Sequence, residues 1–243
     1  MTRTPILTFH SIDSSGSVIS FAADDLRRYL SSLADQGWRG VSVSEAIARH
    51  GERKVVGICF DDGYRNVLTE ALPVLRDCDF TATVFAISSR CGQDNQWPGQ
   101  ADWVPQMPLL EWSEIERLAS SGWEVGSHGA EHLRLTSVAA NRAVEDVVAA
   151  RDEIGRRLGG VPTVFAYPYG EWNHEVREAV RAVYAAAVSI RLDFVGDEDL
   201  EDPTALPRID AYYLRGAAAR LPLDGALASA YVASRRVARR LLR

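Results

Sequence analysis

The chain has 243 residues, 47% of them apolar, enough to bury one large barrel core or two small ones. A formal net charge of -6 and a pI near 5.4 argue against a general nucleic-acid binder, and no apolar run approaches the roughly 18–20 residues of a membrane span. Cys59, Cys78 and Cys91 are scattered, odd in number and without a CxxC pair; they read as reduced thiols. The N-terminal MTRTPILTFH has too short an apolar stretch for a secretory signal, so a cytoplasmic location is expected.

Short β-rich runs alternate with helical patterns along the chain. Ile6–His10 is the first expected strand, followed by a helix over Phe21–Gln36 and a short one over Glu45–His50 behind Ser44 as N-cap. Strand Val55–Phe60 leads into a helix over Tyr64–Asp77, and strand Thr81–Ile87 into an irregular stretch, Arg90–Leu110, rich in glycine and proline. Then come helix Glu111–Ser121, strand Glu124–Ser127, and a long helix through Leu158 for which Ser137 is the N-cap. Strand Thr163–Tyr167, helix Glu171–Tyr184 and strands Ala185–Ile190 and Leu206–Asp210 follow. Such alternation implies parallel strands with right-handed crossovers. Roughly seven units without a linker favour a single α/β barrel, built like the eight-unit version, over an open doubly wound sheet. No GxGxxG follows the first strand, which weakens a dinucleotide reading of the open sheet. The tail Tyr231–Arg243 reads as an amphipathic helix with Arg235, Arg236, Arg239, Arg240 and Arg243 opposite Val232, Val237, Leu241 and Leu242. It suits either an anionic membrane surface or, the expected case, docking on the barrel with arginines facing water.

Three strand ends carry chemistry. Val55–Gly63 (VVGICFDDG) ends an apolar strand in two carboxylates and a glycine, at the strand end where parallel α/β folds build sites. Neighbouring acids on extended backbone point in different directions, so one of Asp61 and Asp62 can bind a metal while the other takes a proton. The bland alternative is a turn leading into the helix from Tyr64. In Trp123–His132 (WEVGSHGAEH), His128 and His132 would share a face if the chain turned helically after Gly129. Imidazoles so placed can reach one cation. An Asp-His-His set leaves coordination positions open, as a catalytic site requires. The cation would polarise a carbonyl and lower the pKa of bound water, with the spare carboxylate as base. That describes amide or ester hydrolysis without a nucleophilic serine, and no GxSxG is present. In Val164–Gly170 (VFAYPYG), the amides of Tyr169 and Gly170 are candidates to face the site and stabilise an oxyanion. Residue types alone favour an ordinary strand-to-helix turn there.

At these residues the sequence resembles the NodB-type polysaccharide deacetylases, carbohydrate esterase family 4. Phe60–Gly63 is similar to that family's TFDDG, with Cys59 in place of threonine, and His128–His132 to its HxxxH. The resemblance runs from about Ile6 to Ile209 and includes Thr81–Phe85 and Leu118–Gly122. It implies a distorted (β/α)7 barrel, Asp61 as general base, and a divalent cation on Asp62, His128 and His132. Zinc is expected first, with cobalt, nickel or iron compatible with the ligands. The family's third motif reads RxPYG, and its arginine, which orients the catalytic aspartate, is Ala166 here. Arg208, in Leu206–Asp210 (LPRID), is the candidate replacement. The family's late LxxH motif, whose histidine protonates the leaving amine, is missing after His174, yet Leu7–His10 (LTFH) has the pattern at the first strand's end. In a closed barrel first and last strands are neighbours, so the chain resembles the circularly permuted subgroup that includes enzymes acting on poly-N-acetylglucosamine, with His10 as general acid. His50 and His174 read as surface residues. Trp97 and Trp103, on the loop at the rim, either stack on a sugar or pack that loop down.

The expectation is therefore one catalytic domain over residues 1–243, with 216–243 a helical extension. It would be a metal-dependent hydrolase that releases acetate from an N-acetylated sugar or glycan precursor. The rivals are an amidohydrolase-like relative acting on a non-sugar amide, and a catalytically inactive carbohydrate-binding protein.

Overall fold

Seven parallel strands close into a barrel in the computed structural model of the protein, which describes residues 3–241. β1 (Ile6–Phe9) lies between β3 (Val55–Phe60) and β8 (Leu206–Asp210), with Leu7 opposite Ile58 on one side and Ile209 on the other. From β3 the ring continues through β4 (Thr83–Ala86), β5 (Glu124–Ser127), β6 (Val164–Ala166) and β7 (Ala186–Leu192) back to β8. This is a distorted (β/α)7 barrel. β1, β3, β4 and β6 are buried at every residue. Strands covered on both faces read as continuous apolar runs, and that made them legible in the sequence.

A further strand, β2 (Arg39–Val41), escapes sequence analysis because three residues carry no period. It pairs with the first half of β3, from Arg39 opposite Val55 to Val41 opposite Gly57, below the point where β4 joins at Cys59. Gly40 admits the close packing of Phe80, whose ring would lie 2.5 Å from any Cβ there.

The helices are α1 (Ala23–Asp35), α2 (Val43–Ala48), α3 (Leu72–Asp77), α4 (Trp112–Ser120), α5 (Ala140–Leu158), α6 (His174–Val183) and α7 (Ala226–Leu241). α1 buries Leu26, Tyr29, Leu30 and Leu33, one stripe at helical spacing. Three local expectations need correction. The cap of α2 is Ser42, whose side chain accepts the Glu45 N–H at 3.3 Å; Ser44 instead bonds to the Glu124 carboxylate. Ser137 closes a 3-10 turn, Leu135–Ser137, and α5 begins later behind Ala139. The expected helix Tyr64–Asp77 opens with a π-turn, Val67–Ala71, before α3, because Pro73 cannot donate to the preceding turn.

α7 starts earlier than expected and docks, with Ala228 and Val232 buried. The Tyr231 hydroxyl donates to the Tyr213 carbonyl at 2.8 Å, Arg236 pairs with Asp193, and Arg239 donates to the Ile190 carbonyl at 3.0 Å. Of the tail expectation, Leu242 and Arg243 lie outside the described residues, as do the side chains of Arg240 and Leu241. Among the described residues no helix is long and apolar enough to cross a membrane.

Candidate metal centre and active site

The site lies at the carboxyl ends of the strands. Asp61 prolongs β3 by one rung, its N–H donating to the Phe9 carbonyl at 2.9 Å, and His128 does the same beyond β5, donating to Ala86 at 2.8 Å. The backbone then turns left-handed at Asp62 (φ 68°), which throws the second carboxylate to a different side from the first. His132 and Tyr169 are also left-handed, both with φ 58°. Non-glycine residues occupy that region at a cost of roughly 1–2 kcal/mol, and such strain concentrates at functional sites.

Asp62, His128 and His132 converge: all three ligand atoms lie within 4.8 Å of one another, and each histidine Nε2 is 3.2 Å from Asp62 Oδ1. His128 donates its Nδ1–H to the Ala166 carbonyl at 2.7 Å, which fixes the tautomer and leaves Nε2 as the inward lone pair. A cluster of two imidazole nitrogens and one carboxylate oxygen, buried yet open to a cavity, fits a divalent cation of the zinc type. His132 Nδ1 is buried and has no hydrogen-bond partner among the described residues. Burial would raise the Asp62 carboxyl, but the hydrogen bonds and charges of the two histidines overcome it and hold Asp62 well below the usual carboxylate range.

The two histidines do not meet by a helical turn. Residues 128–132 form a non-helical loop, with Gly129 at φ 77°, and Asp146 of α5 holds it. The Asp146 carboxylate, fully buried, accepts the N–H groups of Ala130 and Glu131, each at 3.0 Å. Any Cβ at Gly129 would meet Asp146 Oδ2 at 2.5 Å. Sequence analysis missed Asp146; its signal is a carboxylate in register with the apolar stripe Ala143, Val147, Ala150 and Ile154.

Arg208 grips Asp61 from β8. Its guanidinium is bidentate on the carboxylate at 2.7 and 2.8 Å, and its Nε donates to the Ser189 carbonyl at 3.0 Å. Burial would raise the Asp61 carboxyl, but Arg208, with His128 and His10 behind it, holds it below its ordinary value. Ala166, where the family carries its arginine, contributes its backbone carbonyl to His128 instead. His10 follows β1 and places Nε2 3.9 Å from Asp61 Oδ2. In the Pro168–Gly170 turn the Gly170 N–H is spent on the Tyr167 carbonyl at 2.7 Å, so Gly170 is no oxyanion donor. The Tyr169 N–H takes no part in the turn's own bonds.

The loop after β4 separates its two tryptophans. Trp97 is buried against His132, with ring centroids 4.2 Å apart, so it covers the site and is no open stacking platform. Trp103 is 63% exposed. The Tyr169 ring covers His132 on another side, at 4.7 Å, with the Arg134 guanidinium 4.2 Å above it. His174 is exposed as expected, but His50 is not a free surface residue: it is bonded to Thr4 at 2.9 Å and to Asp197 at 3.0 Å. The side chains of His10, Asp61, Asp62, His128, His132 and Arg208 line one cavity of about 360 Å³.

Fold and site together define an α/β barrel with an Asp-His-His cluster and an ion-paired carboxylate at the carboxyl rim. By sequence the chain belongs to the polysaccharide deacetylase family, whose profile matches residues 48–188. The matched segment holds Asp61, Asp62, His128, His132 and Tyr169, whereas His10 and Arg208 lie outside it on β1 and β8. YxkH of Bacillus subtilis (strain 168) is 25% identical over 182 residues, 73% of this chain and 60% of that protein. The peptidoglycan-N-acetylmuramic acid deacetylase PdaC of the same strain is 27% identical over 151 residues, 62% of this chain and 27% of that protein. The chain thus spans well under two thirds of PdaC and somewhat under two thirds of YxkH. In fold it is similar to IcaB from Ammonifex degensii, with a TM-score of 0.75 at 22% identity over 91% of this chain and 98% of that one.

Proposed function

We propose that this protein removes the N-acetyl group of an amino sugar within a glycan or glycan precursor, releasing acetate, with a divalent cation, zinc first, on Asp62, His128 and His132. One observation carries the reading: a buried carboxylate, Asp61, is held ionised by Arg208 beside an inward-facing Asp-His-His cluster in a single cavity. When bound, the cation would polarise the acyl carbonyl and acidify water. Asp61 takes the water's proton; each of its oxygens keeps a lone pair beyond the Arg208 bond. Arg208 fixes the plane of that carboxylate and keeps it charged. The Tyr169 N–H, left over by its turn, donates to the oxyanion that forms on the substrate carbon. His10, with Nε2 3.9 Å from Asp61 Oδ2, delivers a proton to the departing nitrogen. Family membership supports a glycan as substrate class, and the name of PdaC supports an N-acetylated one.

The test is acetate release from a panel of N-acetylated sugars by cation-loaded wild type and Asp61→Asn. Release by wild type alone is the expected result. Silence across the panel with cation bound would move the assignment to a non-sugar amide or to a binding protein.

A further inference from the structure

A second cavity, of about 250 Å³, adjoins the first, and Gly170, Ser189, Ile190, Leu192 and Arg239 form walls of both. In a chain of net charge -6, its described lining contains three arginines, Arg191, Arg236 and Arg239, and no carboxylate. Two of these cations are already neutralised: Arg191 pairs with Asp199 and Arg236 with Asp193. Arg239 is different. One of its nitrogens donates to the Ile190 carbonyl at 3.0 Å, and it has no carboxylate partner among the described residues. A guanidinium carries five N–H donors, so most of Arg239's remain available at the junction of the two cavities. Ile190, Leu192 and the half-exposed Trp172 supply an apolar wall beside it. An arginine fork over apolar and aromatic surface suits a ring that bears an anionic group.

We propose that α7 completes the substrate cleft and that Arg239 forms a subsite for an anionic substituent, a carboxylate or phosphate, on the sugar being deacetylated or its neighbour. This rests on the deacetylase reading for the identity of the sugar. It does not rest on it for the anion preference, which binding alone reveals. The neighbouring ion pairs shape the preference: among the arginines of the second cavity, Asp193 and Asp199 neutralise two and leave Arg239, matching a single anionic group on that side, whereas the first cavity holds the carboxylates Asp61, Asp62, Glu171 and Asp210.

The test measures binding of three probes to the chelated wild-type protein, in which the Arg208–Asp61 pair stays intact, by calorimetry: N-acetylglucosamine, N-acetylmuramic acid and N-acetylglucosamine 6-phosphate. The expected result is about tenfold tighter binding of at least one anionic probe than of the neutral one, weakening as salt is raised. The better of the two anionic probes tells carboxylate from phosphate. Arg239→Gln removes the preference, whereas Arg239→Lys, which keeps the charge but not the fork, keeps part of it; that pattern separates charge recognition from a merely structural loss at α7. Equal binding of all three probes, or a preference that survives Arg239→Gln, overturns the subsite. Acetate release by the wild type, measured in parallel, reports separately on the reaction. A preference without release keeps the subsite and removes the reaction; release without a preference does the reverse.

Discussion

Replacing Arg208 by methionine removes the guanidinium while keeping much of the side-chain volume. Both partners of the pair are almost wholly buried, Arg208 at 4% and Asp61 at 3% exposure, and both carboxylate oxygens are engaged. Removing one member of such a pair strands a buried charge and costs about 3–5 kcal/mol. For a chain of this length each kcal/mol lowers Tm by about 2–4 °C, so the expected loss at pH 7 is about 6–20 °C. The pH dependence has a defined sign. In the wild type Asp61 titrates below its unfolded value of about 3.9, so its pairing stabilises the fold above that pH and is lost as pH falls through the lowered folded value. In Arg208→Met burial acts without the guanidinium and pushes the carboxyl up, so the penalty of burying the charge shrinks as pH falls through the raised value. The gap in Tm between wild type and variant is therefore widest at pH 7–8 and closes toward pH 4. Thermal melts followed by circular dichroism on chelated protein measure it free of metal release. Adding Asp61→Asn to the variant recovers part of the loss, since no charge is then stranded. A gap that stays constant from pH 8 to 4, or a loss below about 1 kcal/mol at pH 7, would refute the account of the pair.

Under the proposed chemistry, His10→Ala lowers kcat by about 10²–10⁴ and leaves cation content unchanged, because His10 stands outside the Asp-His-His cluster; full activity in that variant would end its assignment as proton donor. Asp146→Asn replaces one of two acceptor oxygens by a donor facing an amide N–H. Cation affinity, read by competition with a chelating dye, should fall about 10- to 100-fold, and an unchanged affinity would show that the histidine loop holds itself. Gly170→Ala sets a Cβ 2.1 Å from Ile190 at a residue with φ 66°, and should cost about 2–5 kcal/mol in urea unfolding. A wild-type midpoint for that variant would mean that the turn can shift away from β7.

The barrel was readable because β1, β3, β4 and β6 are buried apolar runs, and because β1, β3, β4, β5 and β6 are each followed by a helix before the next closing strand. The rim was readable because polar residues interrupt those runs at one end: Asp61 and Asp62 after β3, His128 after β5, Arg208 within β8. His10 could be proposed because its motif had moved to the other terminus, which has meaning only if the sheet closes. The features that eluded sequence analysis are those without a local period or with more than one partner available. β2 is too short to show alternation. Ser42 and Ser44 are equivalent as caps until Glu124, eighty positions on, engages Ser44. Trp97 and Trp103 share one loop, yet one is packed on His132 and the other faces solvent.

By itself the sequence determined the alternation of strands and helices and the residue types at the strand ends, since these follow from backbone period, burial pattern and local motif. Tertiary structure decided which of those groups meet. Closure of the ring brought β1 and β8 together, so that Arg208 reaches Asp61 across 147 positions and His10 comes within 3.9 Å of the same carboxylate. A carboxylate on a neighbouring helix, and not a helical turn, shaped the loop that aims His128 and His132 at Asp62. Docking of the last helix put Arg239 on a wall shared by the two cavities. Charge pairing and desolvation act over a few ångströms in space, whatever the separation along the chain, so only the folded barrel could settle them.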